Sequence, residues 1–587
     1  MLDIIIKNAL ILCMFAASVC ACTREVKATS VKNDGRFEYR EIYLPERSSD
    51  DAKHLGLNNL DNDWALWGHN LSSVLPKKPS NSIYAKRNGQ AQYDQFCFMS
   101  DDLFEYIEKY IDDNYGDGEE DSHRFAILPN DNHIVCTCSE CKKAGNTERN
   151  ASPAVFDMIR RLCERFPNHL FFTSYYNTTR GLPDTPLPDN AGVLISAMDY
   201  PLSAVATPKE EEFEALIESW AGKTGRVYIW DYINNFDDYF TPFPVFGVMQ
   251  RRLQLYDRAG VKGLFFNGSG TDFSTFCRLK THILAALTEN PDADWKALLK
   301  SLSSELYPVT GKVIADFMLE QEEFVERTGK ALPLYEGVNK ALDTYLPEEK
   351  FLEFYDKLLS LLPETEGREK EEITRLCGAL AMTRLELMRI RGDITGYKPH
   401  LDRLEKLTDQ DPKVEVYSEA CWTLASYIND YRFMAEHADS VNNKNLLKGV
   451  KLTPLTALDD DYSDISLVTD GLLGLPSNYH CGNLISSAET TLRLSIPKVD
   501  GMNYLRVWVV RNPAYHIERP EFVRLVDAEG HKIGEEKPVQ SAKNHNHASV
   551  VFEIPPAAKG PFMLFVRRNP EERTMALDEI EAFSVKD

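Results

Sequence analysis

Eight short apolar runs recur between residues 37 and 266, and amphipathic stretches separate most of them. The runs are FEYREIYL (37–44), WALWGH (64–69), QFCFM (95–99), FAIL (125–128), LFFTSYY (170–176), GVLISAM (192–198), RVYIW (226–230) and VKGLFF (261–266). Their β-branched and aromatic content, with little alternation, is what strands covered on both faces require. Helical period fills the connections at 101–111, 152–166, 208–221 and 245–259, and Ser152 followed by Pro153 is a good opening for a helix. Strand and helix alternating in this way predict an α/β fold, a (β/α)8 TIM-type barrel over residues 36–285. The connections at 70–94 and 177–191 carry no helical period, so the expected barrel is irregular.

Beyond the barrel the pattern changes twice. Residues 286–440 read as helices only, with apolar positions at i, i+3, i+4 and i+7 in segments such as FLEFYDKLLSLL and VYSEACWTLASYINDYRFMAEHA. A helical bundle packed on the barrel accounts for them. Residues 441–455 form a linker, and 456–587 show short alternating strands punctuated by Gly, Pro and Asn, the signature of a β-sandwich. A chain of 587 residues is too long for one core, which agrees with three units.

The first 35 residues belong to none of them. Ile4 to Val19 make a short apolar run with one charge, Lys7, and Val19-Cys20-Ala21 leads into Cys22. The run suits a signal-peptide core better than a membrane span. A small residue directly before a cysteine is what a bacterial lipoprotein signal presents, so residues 1–21 are expected to be removed, Cys22 lipidated, and 22–35 to act as a tether. The protein is then membrane-anchored in the cell envelope. An ordinary signal peptide or a buried N-terminal helix is the alternative. The formal charge of -24, from 90 acidic against 66 basic residues, repels nucleic acid, and no nucleic-acid partner is expected.

In a barrel of this kind chemistry sits at the C-terminal ends of the strands. Those ends carry Arg40 and Glu41, Trp67 and His69, Asn130 and Asp131, Tyr175, Tyr176 and Asn177, Asp199 and Tyr200, Trp230, Asp231 and Tyr232, and Asn267. Aromatic faces pack on the apolar face of a pyranose and carboxylates accept from its hydroxyls. Two carboxylates, one protonated and one ionised, can cleave a glycosidic bond. Asp131, Asp199 and Asp231 are therefore the catalytic candidates. Arg40, Trp67, His69, Tyr176, Tyr200, Trp230, Tyr232 and Asn267 are the substrate-binding candidates. The expected partner is an oligosaccharide or a glycoprotein glycan, with no cofactor and no catalytic metal. A lone Asp at a strand end is often only a helix cap, Trp67 fits a barrel core equally well, and Asp237 and Asp238 are expected in a solvated loop.

Cys136, Cys138 and Cys141 follow the fourth run and Cys97 lies in the third. Outside the cytoplasm one or two disulfides are the first expectation for them. A four-thiolate zinc site and free thiols remain open, and in each case the cluster is structural.

Taken in order, FEYREIYL, DWALWGHNLSSVLP, QFCFMSDDLFEYI, PNDNHIVCTCSECKK, VYIWDYINNF and GVKGLFF resemble domain-of-unknown-function family 4838, found in lipoproteins of gut Bacteroidetes and classed in part as glycoside hydrolase family 163. The resemblance covers residues 37–330. It implies a barrel related to those of hexosaminidases and α-glucuronidases, and endo-β-N-acetylglucosaminidase action on complex N-glycans. LVTDG (467–471) and ALDEIEAF (576–583) are similar to galactose-binding-like sandwiches. One departure stands out: where the family is expected to read Phe-Glu-Gln-Gly, this chain has Phe265-Phe266-Asn267-Gly268. A non-catalytic glycan binder on a degenerate barrel, or a surface assembly module, is then the alternative to an enzyme. Substrate-assisted cleavage, with an N-acetyl group as nucleophile and Asp131 or Glu140 beside Asp199-Tyr200, is a further route.

Overall fold

Seven of the eight apolar runs pair into one parallel sheet in the computed structural model, which describes residues 36–48, 53–441, 444–459 and 462–585. The strands are β1 (Tyr39–Tyr43), β2 (Trp64–Leu66), β5 (Arg124–Ala126), β6 (Leu170–Tyr175), β7 (Ala191–Ser196), β8 (Val227–Tyr232) and β9 (Gly263–Asn267), in the order β1-β9-β8-β7-β6-β5-β2. The remaining run, QFCFM, goes elsewhere. It ends an antiparallel hairpin of β3 (Tyr84–Arg87) and β4 (Gln90–Phe96). Asn88 and Gly89 turn that hairpin with φ of 52° and 79°, the left-handed pair that a tight two-residue connection demands.

The parallel sheet is curled. Among the described residues no ladder joins β1 to β2. At that seam Asn58 N–H donates to Arg40 O (2.8 Å) and Arg40 N–H donates to Asn58 Oδ1 (2.9 Å). Tyr39, Trp64, Ala126, Phe172, Leu194, Tyr228 and Phe265, one from each strand, pack into a common interior. Tyr39 stacks on Tyr228 at 5.7 Å, and Phe172 lies 4.9 Å from Trp64. Such bulk fits only because Gly192 and Gly263 face it: a Cβ at these positions would stand 2.3 Å from the Phe172 ring and 2.5 Å from that of Tyr228.

Residues of opposite parity face outward. Ile42, Ile229, Leu264 and Phe266 join a second cluster with helix residues such as Ile159, Ile217, Leu253 and Ile283. The outer helices are α1 (Asp101–Tyr115), α2 (Ser152–Arg165), α3 (Pro208–Ala221), α4 (Phe246–Arg258) and α5 (Cys277–Glu289). Ser100 and Thr207 cap α1 and α3 through their side-chain oxygens, each supplying an acceptor to a first-turn N–H. The connections at 70–94 and 177–191 hold no α-helix.

Seven further α-helices lie between Trp295 and Val441 among the described residues. Residues 416–423, expected as the start of the last of them, are irregular. Val416 bridges Thr423, and the α-helix begins at Leu424, with Thr423 Oγ1 accepting from Ser426 N–H. This segment and the loop 329–337 dock on the connection that follows β8. Phe236 N–H donates to Leu334 O (2.7 Å), Glu419 N–H to Phe236 O (2.8 Å) and Tyr239 N–H to Tyr417 O (2.8 Å).

That cover explains a second departure. Asp237 and Asp238, expected in solvent, are each 6% exposed. Asp238 accepts from the N–H groups of Phe240 and Thr241, and Asp237 Oδ2 meets His480 Nε2 at 2.9 Å and Glu336 N–H at 3.0 Å. Past residue 450, two five-stranded antiparallel sheets close over a shared apolar core that includes Leu494, Leu505, Val507, Leu525, Leu564 and Ile580. Cys22 and the leader lie outside the described residues. No described helix is long and apolar enough to cross a membrane.

Candidate functional site

A cleft of about 1530 Å³ opens over the C-terminal ends of the strands. The register that aligns Tyr43, Asn267 and Tyr232 across β1, β9 and β8 makes its base. Trp67 and Trp230 stack there with ring centroids 4.9 Å apart and planes 15° from parallel, and Phe265 packs on both at 4.6 and 4.8 Å. The floor is thus a packed aromatic cluster, which Trp64 joins edge-on against Trp67.

The connections after β5, β6 and β7 bring Asp131, Tyr176, Asn177, Asp199 and Tyr200 to the cleft. Asn177 Nδ2 donates to Asp131 Oδ1 (3.0 Å) and to Asn132 O (3.1 Å), which fixes the Asp131 carboxylate. Asp199 is exposed and paired with Arg180. His69 borders the cleft with its Nδ1–H on the Pro129 carbonyl, and the Tyr232 hydroxyl meets Ser196 Oγ at 3.1 Å.

Two sequence candidates do not reach the cleft as expected. Arg40 is on the outward face of β1, 3% exposed, where its guanidinium meets Thr288 Oγ1 at 3.3 Å, Gly56 O at 3.0 Å and Glu289 at 3.4 Å. Asp231 borders the cleft but is fully buried, and its carboxylate is consumed. Arg252 Nη1 bonds both oxygens at 3.0 Å, the Tyr256 hydroxyl donates at 2.6 Å, and Tyr232 N–H donates at 2.8 Å. Period-2 geometry explains both, because Arg40 and Asp231 alternate with Tyr39 and Trp230, which point inward. The same geometry places Phe266, Asp231's neighbour in register, among the helix-facing residues. A Glu at 266, the residue expected there from the family resemblance, would therefore face the helix layer and would not add a carboxylate to the cleft floor.

One acidic residue of the lining comes from the helical region beyond the sheet. Glu419 lines the cleft together with Tyr335, both from the segments that dock after β8. The Tyr335 hydroxyl donates to Glu419 Oε2 at 3.3 Å. Burial pushes the Glu419 carboxyl up to about 7; the Tyr335 hydrogen bond opposes this, and the negative charges of Asp237 and Asp131 add to it. Neither Glu419 nor Asp131 has a cationic partner among the described residues. Nothing in the sequence around Glu419 separates it from other surface acids, since only the docking of 416–423 turns it inward.

The four expected cysteines do converge, away from the cleft floor and as free thiols. Asp527, Glu529 and His531 also gather, on an exposed turn where Asp527 already accepts from the N–H groups of Glu529 and His531.

The profile of a family described as Domain of unknown function (DUF4838) matches residues 25–318. No curated protein matches the chain. Among solved structures, a family GH115 4-O-methyl-α-glucuronidase with specificity for decorated arabinogalactans is 12% identical, covering 85% of this chain and 68% of that one at a TM-score of 0.35. The lectin domain of lectinolysin, complexed with Lewis B antigen, is 14% identical over 24% of this chain and 99% of that one, at 0.19. A fucose-binding module of Streptococcus pneumoniae is 13% identical over 24% of this chain and 98% of that one, also at 0.19.

Proposed function

Since the chain belongs to the DUF4838 family, we propose that its cleft is the active site of a glycoside hydrolase, endo-β-N-acetylglucosaminidase-like, acting on N-acetylglucosamine-containing glycans such as complex N-glycans. The observation that carries this reading is that Glu419 and Asp131, two carboxylates without cationic partners among the described residues, line one cleft with the Trp67–Trp230 stack. Glu419 is the general acid. Holding its proton to about pH 7, it delivers that proton to the departing glycosidic oxygen. Asp131, held by Asn177, is the second carboxylate. In a substrate-assisted course it orients the N-acetyl amide, whose carbonyl oxygen attacks the anomeric carbon before water releases the sugar. The side of the Trp67–Trp230 stack left open to the cleft offers apolar surface to the pyranose rings, and Asp199 with Arg180 supplies polar contacts at the rim.

A cleft of about 1530 Å³ exceeds the roughly 300–1,000 Å³ of small-molecule sites and accommodates several sugar units. The register of β9, which turns position 266 toward the helices, supports the hydrolase reading over the glycan binder. Lipidation at Cys22 would hold the enzyme at the cell envelope. The C-terminal sheets, on the galactose-binding-like reading, would keep glycan close to the cleft.

Incubation with complex N-glycans is expected to release new reducing ends. Asp131→Asn should lower that rate by about 10²-fold or more while glycan binding persists. Glycan retention with no cleavage by the wild-type protein would establish the binder instead. Trp230→Ala is expected to raise KM about tenfold with kcat little changed, because a stacking face is worth about 1 kcal/mol beyond its buried area. Steady-state kinetics separates the two parameters.

A further inference from the structure

Cys97, Cys136, Cys138 and Cys141 come from two separate pieces of chain and meet at one point. Cys97 follows the hairpin strand β4, and the other three lie in the connection between β5 and α2. All four sulfurs are within 4.8 Å of one another. Cys97 Sγ stands 3.6 Å from Cys141 Sγ and 3.8 Å from Cys138 Sγ. A disulfide requires about 2.05 Å. A zinc–sulfur bond of about 2.3 Å in a tetrahedron sets the sulfur–sulfur edge at about 3.8 Å, close to the observed spacing.

We propose that these four cysteines form a structural tetrathiolate site for Zn²⁺. The surroundings suit the product of binding. Lys86 N–H donates to Cys136 Sγ at 3.2 Å and Cys141 N–H to Cys138 Sγ at 3.5 Å, and both bonds strengthen toward a thiolate. Cys97, Cys136 and Cys141 are 7%, 3% and 0% exposed and Cys138 is half-buried; four thiolates fill the tetrahedral shell and leave no position for substrate. Binding replaces four thiol protons by one cation and releases the protons to solvent. No oxidant or reductant is needed.

The site would act as a clamp on the rim of the cleft. Gln95, two residues before Cys97, donates through Nε2 to Asn130 O and Asn132 Oδ1, both at 3.0 Å. The main-chain carbonyl of Asp94 accepts from the side-chain amides of Asn130 and Asn132. The hairpin thus grips both neighbours of Asp131, and the metal would lock that hairpin to the chain a few residues further on. The inference stands whether or not the cleft hydrolyses glycans.

Elemental analysis of the full chain, purified without chelator or immobilised metal, is expected to give one zinc per chain. X-ray absorption should show a single shell of four sulfurs at about 2.3 Å. Cys97→Ser and Cys141→Ser are expected to cut zinc content at least tenfold. The absorption spectrum of the wild-type protein decides the matter even if these variants fail to fold. A nitrogen- or oxygen-rich shell, iron in place of zinc, a disulfide among the four cysteines by mass spectrometry of alkylated protein, or no metal after equilibration with one equivalent of Zn²⁺ would each overturn the assignment.

Discussion

Replacing Glu419 by Gln is expected to lower kcat on natural glycans by about 10²- to 10⁴-fold, which is roughly 3–5 kcal/mol of barrier. Gln keeps the volume and accepts from the Tyr335 hydroxyl, but it has no proton to give. Two further readouts separate an acid from a residue that only shapes the site. A substrate with a good leaving group, such as a nitrophenyl glycoside, needs little protonation and should lose far less. The falling limb of the wild-type pH–kcat profile, set by a carboxyl pushed up to about 7, should vanish in the variant. The same shift has a sign for stability. A carboxyl whose value rises from the usual 4.5 to about 7 on folding favours the folded state fully below 4.5, and that contribution is lost as pH climbs to about 7. Glu419→Gln should therefore flatten this part of the stability profile and leave the variant relatively more stable at pH 8 than at pH 4. Unchanged kcat with an intact alkaline limb would remove Glu419 from the mechanism.

The α/β class was legible because strand and helix periods alternate cleanly in the sequence. Individual strand ends were less so, because an apolar run shows where a strand lies but not which parity faces inward. Arg40 and Asp231 are adjacent to Tyr39 and Trp230, and adjacent residues of a strand cannot share a face. The aromatic residues themselves carried the missing information. Tyr39, Trp64, Phe172, Tyr228 and Phe265 fill the interior, and counting by two from them leads to Tyr43, Trp230 and Asn267. The third run leaves the parallel sheet for a different reason. Asn88-Gly89 between two alternating stretches is a strong short-range hairpin signal, and it outweighs the apolar content of QFCFM. Glu419 was beyond reach of any local reading. It lies past residue 318, where the family match ends, in a segment whose i, i+3, i+4 spacing mimics the helix that follows it. Its role depends on main-chain bonds to Phe236, and pairing at such sequence separation leaves no periodic trace.

Asp231→Ala is expected to destabilise the protein by about 3–5 kcal/mol, the cost of leaving a buried partner charge uncompensated. Arg252 is 7% exposed, and without Asp231 its Nη1 keeps only the Tyr256 hydroxyl at 3.3 Å, while Nη2 still reaches the carbonyls of Tyr200 and Pro201. The guanidinium would remain charged in an apolar setting, and β8 would lose its tie to α4. Hydrogen exchange across Val227–Tyr232 and Phe246–Arg258 should report this locally, which matters because a chain of several units need not unfold in one step. Removing both charges together, as Asp231→Leu with Arg252→Met, should cost less than Asp231→Ala alone, since no orphaned ion is left behind. A catalytic Asp231 predicts the opposite pattern, a variant as stable as wild type and inactive. The two readings therefore separate on stability alone, without a substrate. The damage should also reach the cleft, because Trp230 precedes Asp231 on the same strand and its stacking on Trp67 depends on where β8 is held.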